Sequence, residues 1–149
     1  MINQFAGLLL LGALAVPAMA QQCAVTVEST DSMQFNTATI EVSKKCKEFT
    51  ITLKHTGKLP KAAMGHNLVV TKASDMAAAG ADAAGAGLAN DYVKPKDERI
   101  LAQTKMIGGG ETSVAKINVT GLLAKESYAF FCTYPGHSAL MKGTLKVTG

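Results

Sequence analysis

The sequence lacks the side chains on which nucleic-acid recognition depends. It contains no tryptophan, only five phenylalanines and three tyrosines, and Arg99 is its single arginine. A nucleic-acid interface needs clustered basic side chains, and single strands also need aromatic rings for stacking. The lysines here are scattered, and the net charge is only +4. We therefore expect no nucleic-acid partner, and at most mild electrostatic steering toward acidic partners.

Long hydrophobic runs are also missing after the N-terminal segment. Residues 5–20 are apolar or small and end in Ala18-Met19-Ala20, although no Lys or Arg precedes the run. This A-x-A ending is typical of a signal-peptide cleavage site. The run is too short for a comfortable membrane span of about 20 apolar residues. We interpret residues 1–20 as a signal peptide cleaved after Ala20, and we expect a periplasmic product without membrane insertion.

The remaining segment, residues 21–149, has the size of one domain with one hydrophobic core. Cys23 and Cys46 lie near its start, and Cys132 lies near its end. An oxidising compartment permits a disulfide. A bridge between Cys23 and Cys46 would stabilise the fold by roughly 3 kcal/mol in the chain-entropy model. A leftover thiol is most often a small buried hydrophobic residue, but Cys132 lies among candidate metal ligands.

Alternating hydrophobic and polar residues predict short β-strands through most of this segment. They indicate an all-β sandwich or barrel, with turn signals such as Pro135-Gly136 between strands. The exception is an alanine-rich segment, for which we predict a short helix over residues 74–80, capped by Ser74, and then a loose excursion. The alternating positions are Val25, Val27, Ile40, Val42, Phe49, Ile51, Leu53, His55, Ala115, Ile117, Val119, Tyr128, Phe130, Cys132, Leu145 and Val147.

Metal-ligating side chains are concentrated in one short segment near the C-terminus. Cys132 ends a predicted strand, Pro135-Gly136 turns the chain, His137 follows, and Met141 lies where the next strand begins. One loop can therefore present a thiolate, an imidazole and a thioether to a single point, and His66 from another predicted strand would complete the set. Two histidines, a cysteine and a methionine are the ligands of blue-copper electron-transfer sites. Structural zinc sites often contain C-x-x-C pairs, which are absent here, although zinc would still bind adventitiously.

Five motifs extend this pattern over nearly the whole of residues 21–149. They are M-Q-F-N-T at 33–37, L-P-K at 59–61, M-G-H-N at 64–67, D-Y-V-K-P at 91–95 and F-F-C-T-Y-P-G-H-S-A-L-M-K-G-T-L at 130–145. With these motifs the sequence resembles the azurins, bacterial blue-copper proteins of the cupredoxin family. The resemblance implies a Greek-key β-sandwich of about eight strands, with one short helix in a flap outside the sandwich.

The resemblance also implies a role for individual residues. His66, Cys132 and His137 would be the strong ligands of one copper ion. Met141 and the carbonyl oxygen of Gly65 would be weak axial ligands.

Three further expectations come from the same resemblance. Asn67 would tie the two ligand-bearing segments together near the thiolate, where such bonds orient ligands and tune the potential. Cys23 and Cys46 would form a disulfide. His55, by its alternation a core histidine, would be buried near the metal without binding it.

Four positions depart from the family pattern. Leu68 replaces a common tryptophan, Tyr134 replaces the usual phenylalanine of the ligand loop, Gln103 stands where a surface histidine is frequent, and Ala84 replaces a methionine of the surface patch. These changes leave the proposed ligands intact and affect the surface that partners would contact.

The expected function is electron transfer between periplasmic redox proteins, not catalysis. The resemblance implies transient binding of c-type cytochromes and of copper or haem reductases to a monomer, through an apolar rim around His137. Two alternatives remain open: periplasmic copper storage or delivery, and catalysis with Cys132 as nucleophile, His137 as base and Asn67 as orienting group. The rim residues are Met33, Leu59, Met64, Tyr134, Pro135, Gly136, Ala139 and Leu140.

Overall fold

Residues 22–149 are described by a computed structural model. The predicted signal peptide, residues 1–20, lies outside the described residues. Within 22–149 the chain forms nine strands and two helices. They are β1 (Ala24–Thr30), β2 (Gln34–Phe35), β3 (Thr39–Ser43), β4 (Glu48–His55), α1 (Lys61–Met64), β5 (Val69–Lys72), α2 (Met76–Ala86), β6 (Ala102–Gln103), β7 (Thr112–Asn118), β8 (Tyr128–Phe131) and β9 (Lys142–Thr148).

The strands form two sheets that enclose the main core. One sheet has the order β2-β1-β4-β7 and the other β3-β9-β8-β5-β6. The pairs β1–β4 and β3–β9 are parallel, and the remaining pairs are antiparallel. The predicted all-β Greek-key sandwich is confirmed. The structure has nine strands where about eight were predicted, and two of the nine, β2 and β6, contain only two residues each.

The period-two pattern of the sequence determines which side chains enter the core. In β4, Phe49, Ile51, Leu53 and His55 are buried while their neighbours are exposed or half-buried. All four residues of β8 are buried instead. The outer face of β8 is covered because Phe131 and Val69 pack with Ala79 and Val93 into a second, smaller core. The strand that leads to Cys132 is therefore fixed on both faces.

The predicted helix over 74–80 was too short, and its capping residue was wrong. Ser74 lies in a 3₁₀ turn, and α2 runs from Met76 to Ala86 with no side-chain cap. Ala79 and Ala83, one turn apart, are buried, so tertiary packing outweighs the low helix propensity of the glycines in this segment. The residue that follows the helix is Gly87, whose φ of 71° favours glycine. No helix within residues 22–149 is long and apolar enough to cross a membrane.

The disulfide between Cys23 and Cys46 is confirmed. It joins the residue before β1 to the turn between β3 and β4. Among the described residues Cys132 is the free cysteine, and it is buried.

Candidate metal centre

Two imidazoles and one thiol converge at one end of the sandwich. The Cys132 sulfur lies 3.9 Å from Nδ1 of His66 and 3.8 Å from Nδ1 of His137. The two Nδ1 atoms are 3.2 Å apart. All three side chains are buried, and their donor atoms lie within 4.8 Å of one another. The structure thus brings together the three residues predicted as strong ligands.

His66 is held on both sides by backbone hydrogen bonds. Its own amide and carbonyl pair with Ile107, at 2.9 and 2.8 Å, in an isolated β-bridge rather than in the predicted strand. Its ring Nε2 lies 2.8 Å from the carbonyl oxygen of Thr30, to which it must donate. That bond assigns the tautomer and leaves Nδ1 as a lone-pair donor that faces the cluster.

The loop after β8 places Cys132 and His137 side by side. Gly136 has φ of 83°, a left-handed conformation that favours glycine. His137 then begins a short 3₁₀ turn. The amide of Met141 donates to the His137 carbonyl at 2.8 Å, and the Met141 carbonyl accepts from the Cys132 amide at 3.0 Å. The loop is thus closed on itself between the two ligand-bearing residues.

Burial controls the protonation of all three groups when no metal is bound. Burial raises the pKa of the Cys132 thiol to about 11, an effect that the backbone amides of Asn67 and Tyr134 partly oppose. Burial lowers the pKa of His66 to about 4, in spite of the bond to Thr30, and it also lowers the pKa of His137. The cluster is therefore a neutral thiol with two neutral imidazoles near pH 7.

The donor set fits a soft or borderline metal ion. Two donors that each lie 2.0–2.3 Å from a shared ion in trigonal or tetrahedral geometry are about 3.3–4 Å apart, close to the separations observed here. Thiolate and imidazole donors suit copper and zinc, whereas magnesium and calcium prefer oxygen. The described group contains no carboxylate. These residues fit copper, which the sequence predicts.

The two candidate axial groups belong to the segments that carry the strong donors: Gly65 directly precedes His66, and Met141 follows His137 by four residues. Met141 is fully buried at the end of the ligand loop. Gly65 is buried immediately before His66. A Cβ at Gly65 would lie 2.5 Å from the carbonyl oxygen of Lys61 and 3.0 Å from the sulfur of Met106, so close packing requires glycine here.

The side chain of Asn67 links the two ligand-bearing segments. Its Oδ1 accepts the amide of Thr133 at 2.8 Å, and its Nδ2 donates to the Thr133 hydroxyl at 2.7 Å. Nδ2 also lies 2.9 Å from the carbonyl oxygen of Asp91. Asn67 follows His66 and Thr133 follows Cys132, so these bonds fix the spacing between the two ligands.

His55 is a satisfied core histidine beside the cluster. Its ring stacks on that of His66 with centroids 4.5 Å apart. Its Nδ1 accepts the amide of Gly57 at 3.0 Å, and its Nε2 lies 2.9 Å from the Met64 carbonyl oxygen. Both ring nitrogens therefore have partners in the neutral form, and His55 is not part of the metal-ligating group.

All eight residues of the predicted apolar rim are exposed or half-buried. Leu140 is 66% exposed and Leu59 is 42% exposed. His137 is only 5% exposed. Within residues 22–149, every fully buried side-chain nitrogen or oxygen has a hydrogen-bond partner. The Nε2 of His137 has no such partner. This nitrogen is therefore not fully buried, and its edge of the ring reaches the surface. The rim residues Pro135, Gly136 and Ala139 are exposed, and Met33, Met64 and Tyr134 are half-buried.

The four departures from the family pattern lie outside the cluster. Leu68 is fully buried in the main core. Gln103 is exposed on β6, and Ala84 is exposed on α2. Tyr134 is half-buried and packs against His137, with ring centroids 4.4 Å apart.

The sandwich and the buried His-Cys-His cluster define a copper protein with a cupredoxin fold. A family model for copper-binding proteins of the plastocyanin/azurin family matches residues 21–148. The chain is 60% identical over 125 residues to the azurin of Alcaligenes faecalis, across 84% of this chain and 98% of that protein. It is 49% identical over 145 residues to the azurin of Pseudomonas aeruginosa, across 97% of this chain and 98% of that one.

A solved structure of the azurin Az-iso2 from the obligate methylotroph Methylomonas sp. strain J is also similar. The match has a TM-score of 0.84 at 43% identity and covers 87% of this chain and 100% of that one. This chain therefore belongs to the plastocyanin/azurin family of copper-binding proteins. The predicted family and the copper cofactor are confirmed.

Sequence reasoning missed two contacts at the site. The Thr30 carbonyl oxygen that orients His66 is a backbone atom, and no residue type marks it. The hydroxyl of Tyr134 donates to the carbonyl oxygen of Ala62 at 2.7 Å. The exchange of phenylalanine for tyrosine was visible in the sequence, but the partner of the added hydroxyl was not.

Proposed function

We propose that the protein carries single electrons between periplasmic redox partners through the cluster of His66, Cys132 and His137. The observation that carries this proposal is a buried, pre-assembled set of one thiol and two imidazoles, one of which has a ring edge at the surface. Copper bound there would supply one-electron chemistry by alternating between Cu(I) and Cu(II). Membership in the plastocyanin/azurin family supports electron transfer rather than the storage or delivery of copper.

The protein's own contribution is to hold the donors still. The Thr30 carbonyl orients His66, the amide of Asn67 links the two segments, and the backbone of Met141 closes the ligand loop. A donor set constrained in this way changes little when the charge at its centre changes. Burial also keeps water away from the sulfur, since Cys132 is fully buried.

Met141 and the Gly65 carbonyl oxygen are the proposed weak axial ligands. Their support is the family resemblance and their place in the two segments that carry the strong donors. A weak axial donor tunes the potential without being required for binding. Met141→Leu should therefore remain blue and shift to a higher potential, because loss of a donor destabilises Cu(II) more than Cu(I). Voltammetry that shows an unchanged or lower potential would count against an axial thioether.

The apolar rim is the proposed contact surface for partners. His137 offers the shortest route from the donors to the surface, and the rim would exclude water around it while forming few specific bonds. Small, weak interfaces of this kind suit transient redox encounters. We propose c-type cytochromes and copper or haem reductases as partners, contacted by a monomer in the periplasm after removal of residues 1–20.

The visible spectrum of the copper-loaded protein tests the proposal most directly. An intense absorption band toward the red, from thiolate-to-Cu(II) charge transfer, is expected by family resemblance. A colourless Cu(II) protein would refute the electron-transfer assignment.

Catalysis by Cys132 is disfavoured by the electrostatics of the site. A nucleophilic cysteine needs a lowered pKa and access to substrate. Cys132 is fully buried, and its pKa is raised to about 11. We propose that the protein is not an enzyme.

A further inference from the structure

Tyr134 makes a cross-link between two segments of the chain that carry metal ligands. It lies between Cys132 and His137 in the ligand loop. Its hydroxyl donates to the carbonyl oxygen of Ala62 at 2.7 Å, across 72 positions of sequence. Its ring packs on His137 at 4.4 Å between centroids and meets the edge of the Tyr92 ring at 5.3 Å.

The segment that Tyr134 reaches has little stability of its own. Ala62 lies in α1, which has four residues, no buried side chain and no side-chain cap. Isolated helices of this length do not form in water. Besides its backbone bonds, side chains from elsewhere hold this stretch at its ends: Asp31 accepts the amides of Lys58 and Leu59 at 2.8 and 3.3 Å.

At the other end, the ring of His55 bonds the carbonyl oxygen of Met64. Gly65 and His66 follow directly. Within α1, Ala62 is the residue bonded to the ligand loop, through Tyr134. The Tyr134 hydroxyl therefore joins two segments: the one that leads to His66 and the loop that carries Cys132 and His137.

We propose that the Tyr134 hydroxyl is a positioning group that latches α1 to the ligand loop and slows the opening of the metal site. This inference rests on the proposed metal-binding role of the cluster. A bound ion can leave only when its donors separate, and separation of the two segments breaks the bond from Tyr134 to Ala62. The ring alone would keep its packing on His137, so the latch is a property of the hydroxyl.

The size of the effect follows from the net strength of one hydrogen bond. A neutral hydrogen bond contributes a free energy that corresponds to about a five-fold change in an equilibrium constant. If the bond is intact in the closed state and broken in the open one, its loss makes opening about five-fold more frequent. Metal release through that opening accelerates by the same factor.

The experiment measures the release of Zn(II) from the folded protein into an excess of a chromogenic chelator. Zn(II) is used because it binds thiolate and imidazole donors and has no redox chemistry. Tyr134→Phe removes the hydroxyl and keeps the ring, and we expect it to release zinc about five-fold faster than wild type. Amide hydrogen exchange at Ala63 and Met64 should accelerate in the same variant.

Two matched variants separate the latch from a general loss of stability. Tyr92→Phe removes a hydroxyl from the ring that touches Tyr134 and leaves the bond to Ala62 in place. Tyr128→Phe removes a hydroxyl that accepts the Leu123 amide at 2.8 Å, away from the cluster. We expect both to release zinc within about 1.5-fold of wild type, even where Tyr128→Phe lowers the melting temperature.

The outcomes distinguish the role of the Tyr134 hydroxyl from the metal-binding function itself. Release from Tyr134→Phe at the wild-type rate, or equal acceleration in all three variants, would overturn the latch while leaving the metal site intact. If the wild-type protein holds neither zinc nor copper, the proposed function fails instead. Faster release in Tyr134→Phe alone, together with faster exchange in α1, would establish the latch.

Discussion

The raised pKa of Cys132 makes metal binding a proton-releasing reaction over most of the pH range. The ligand form of cysteine is the thiolate, whereas the metal-free site holds a neutral thiol with a pKa of about 11. His66, with a pKa of about 4, is already neutral above pH 5. His137 is shifted in the same direction by burial. One proton, from the thiol, should therefore leave for each metal ion bound near pH 7.

The magnitude follows from the distance between the working pH and the thiol pKa. At pH 7 the thiol is about four units below its pKa, which lowers the apparent affinity about 10,000-fold relative to a preformed thiolate. The apparent affinity should rise about ten-fold for each unit of pH up to about pH 11. Below about pH 4, protonation of His66 should steepen this dependence.

Calorimetry with Zn(II) in two buffers of different ionisation enthalpy counts the protons directly. We expect about one proton per zinc at pH 7 and fewer than two at pH 5.5, because His66 is neutral at both pH values and burial lowers the pKa of His137. Zinc is preferred for this titration because Cu(II) can oxidise a free thiol. The wild-type protein at the two pH values provides its own control, since the fold and ligands are the same in both titrations.

Two results would refute this reasoning. If the imidazoles had an ordinary pKa near 6.5, each would be mostly protonated at pH 5.5, and the count would approach three. If the thiol were already ionised in the metal-free protein, the count at pH 7 would be near zero. Either result would show that burial does not control the charge of this cluster.

Three further predictions concern other parts of the molecule. Cys132→Ser should lose the blue colour of the copper protein and keep the fold, because a hydroxyl does not supply a soft thiolate; a blue variant by absorption spectroscopy would remove Cys132 from the site. Leu140→Lys should slow electron self-exchange measured by NMR line broadening, whereas Leu123→Lys, at a 51% exposed leucine outside the apolar rim, should not; equal rates would place the contact surface elsewhere. Replacing Cys23 and Cys46 by alanine should lower the free energy of unfolding by roughly 3 kcal/mol without changing the spectrum, and a stability equal to wild type in denaturant titrations would contradict that.

The metal ligands that could be predicted most directly from the sequence are those that lie together in one short loop. Cys132, His137 and Met141 are close in sequence, so a turn at Pro135-Gly136 is enough to bring them together. His66 is distant in sequence, and its place in the cluster was predicted from its residue type together with the family resemblance. The structure places it in a single bridge with Ile107 rather than in a strand, because its partner segment cannot be read from a local pattern.

The errors arise where tertiary contacts outweigh local preference. The glycines of α2 argued for a short helix, but burial of Ala79 and Ala83 extends it to Ala86. The bond from Tyr134 to Ala62 and the bond from His66 to Thr30 end on backbone carbonyls. Such acceptors are present at every residue, so sequence alone does not say which one is used.

The parallel pairing of β3 with β9 sets an order on the assembly of the protein. β3 is at the edge of the five-stranded sheet, and its strand neighbour there is β9. Thr39 and Ser43 lie opposite Thr144 and Thr148. Because β3 has no other strand neighbour in this sheet, it cannot pair until β9 is in place. The loop with Cys132 and His137 is closed by the start of the same late strand. The edge of the five-stranded sheet and the closed ligand loop therefore depend on the same strand, and both form only when β9 takes its place.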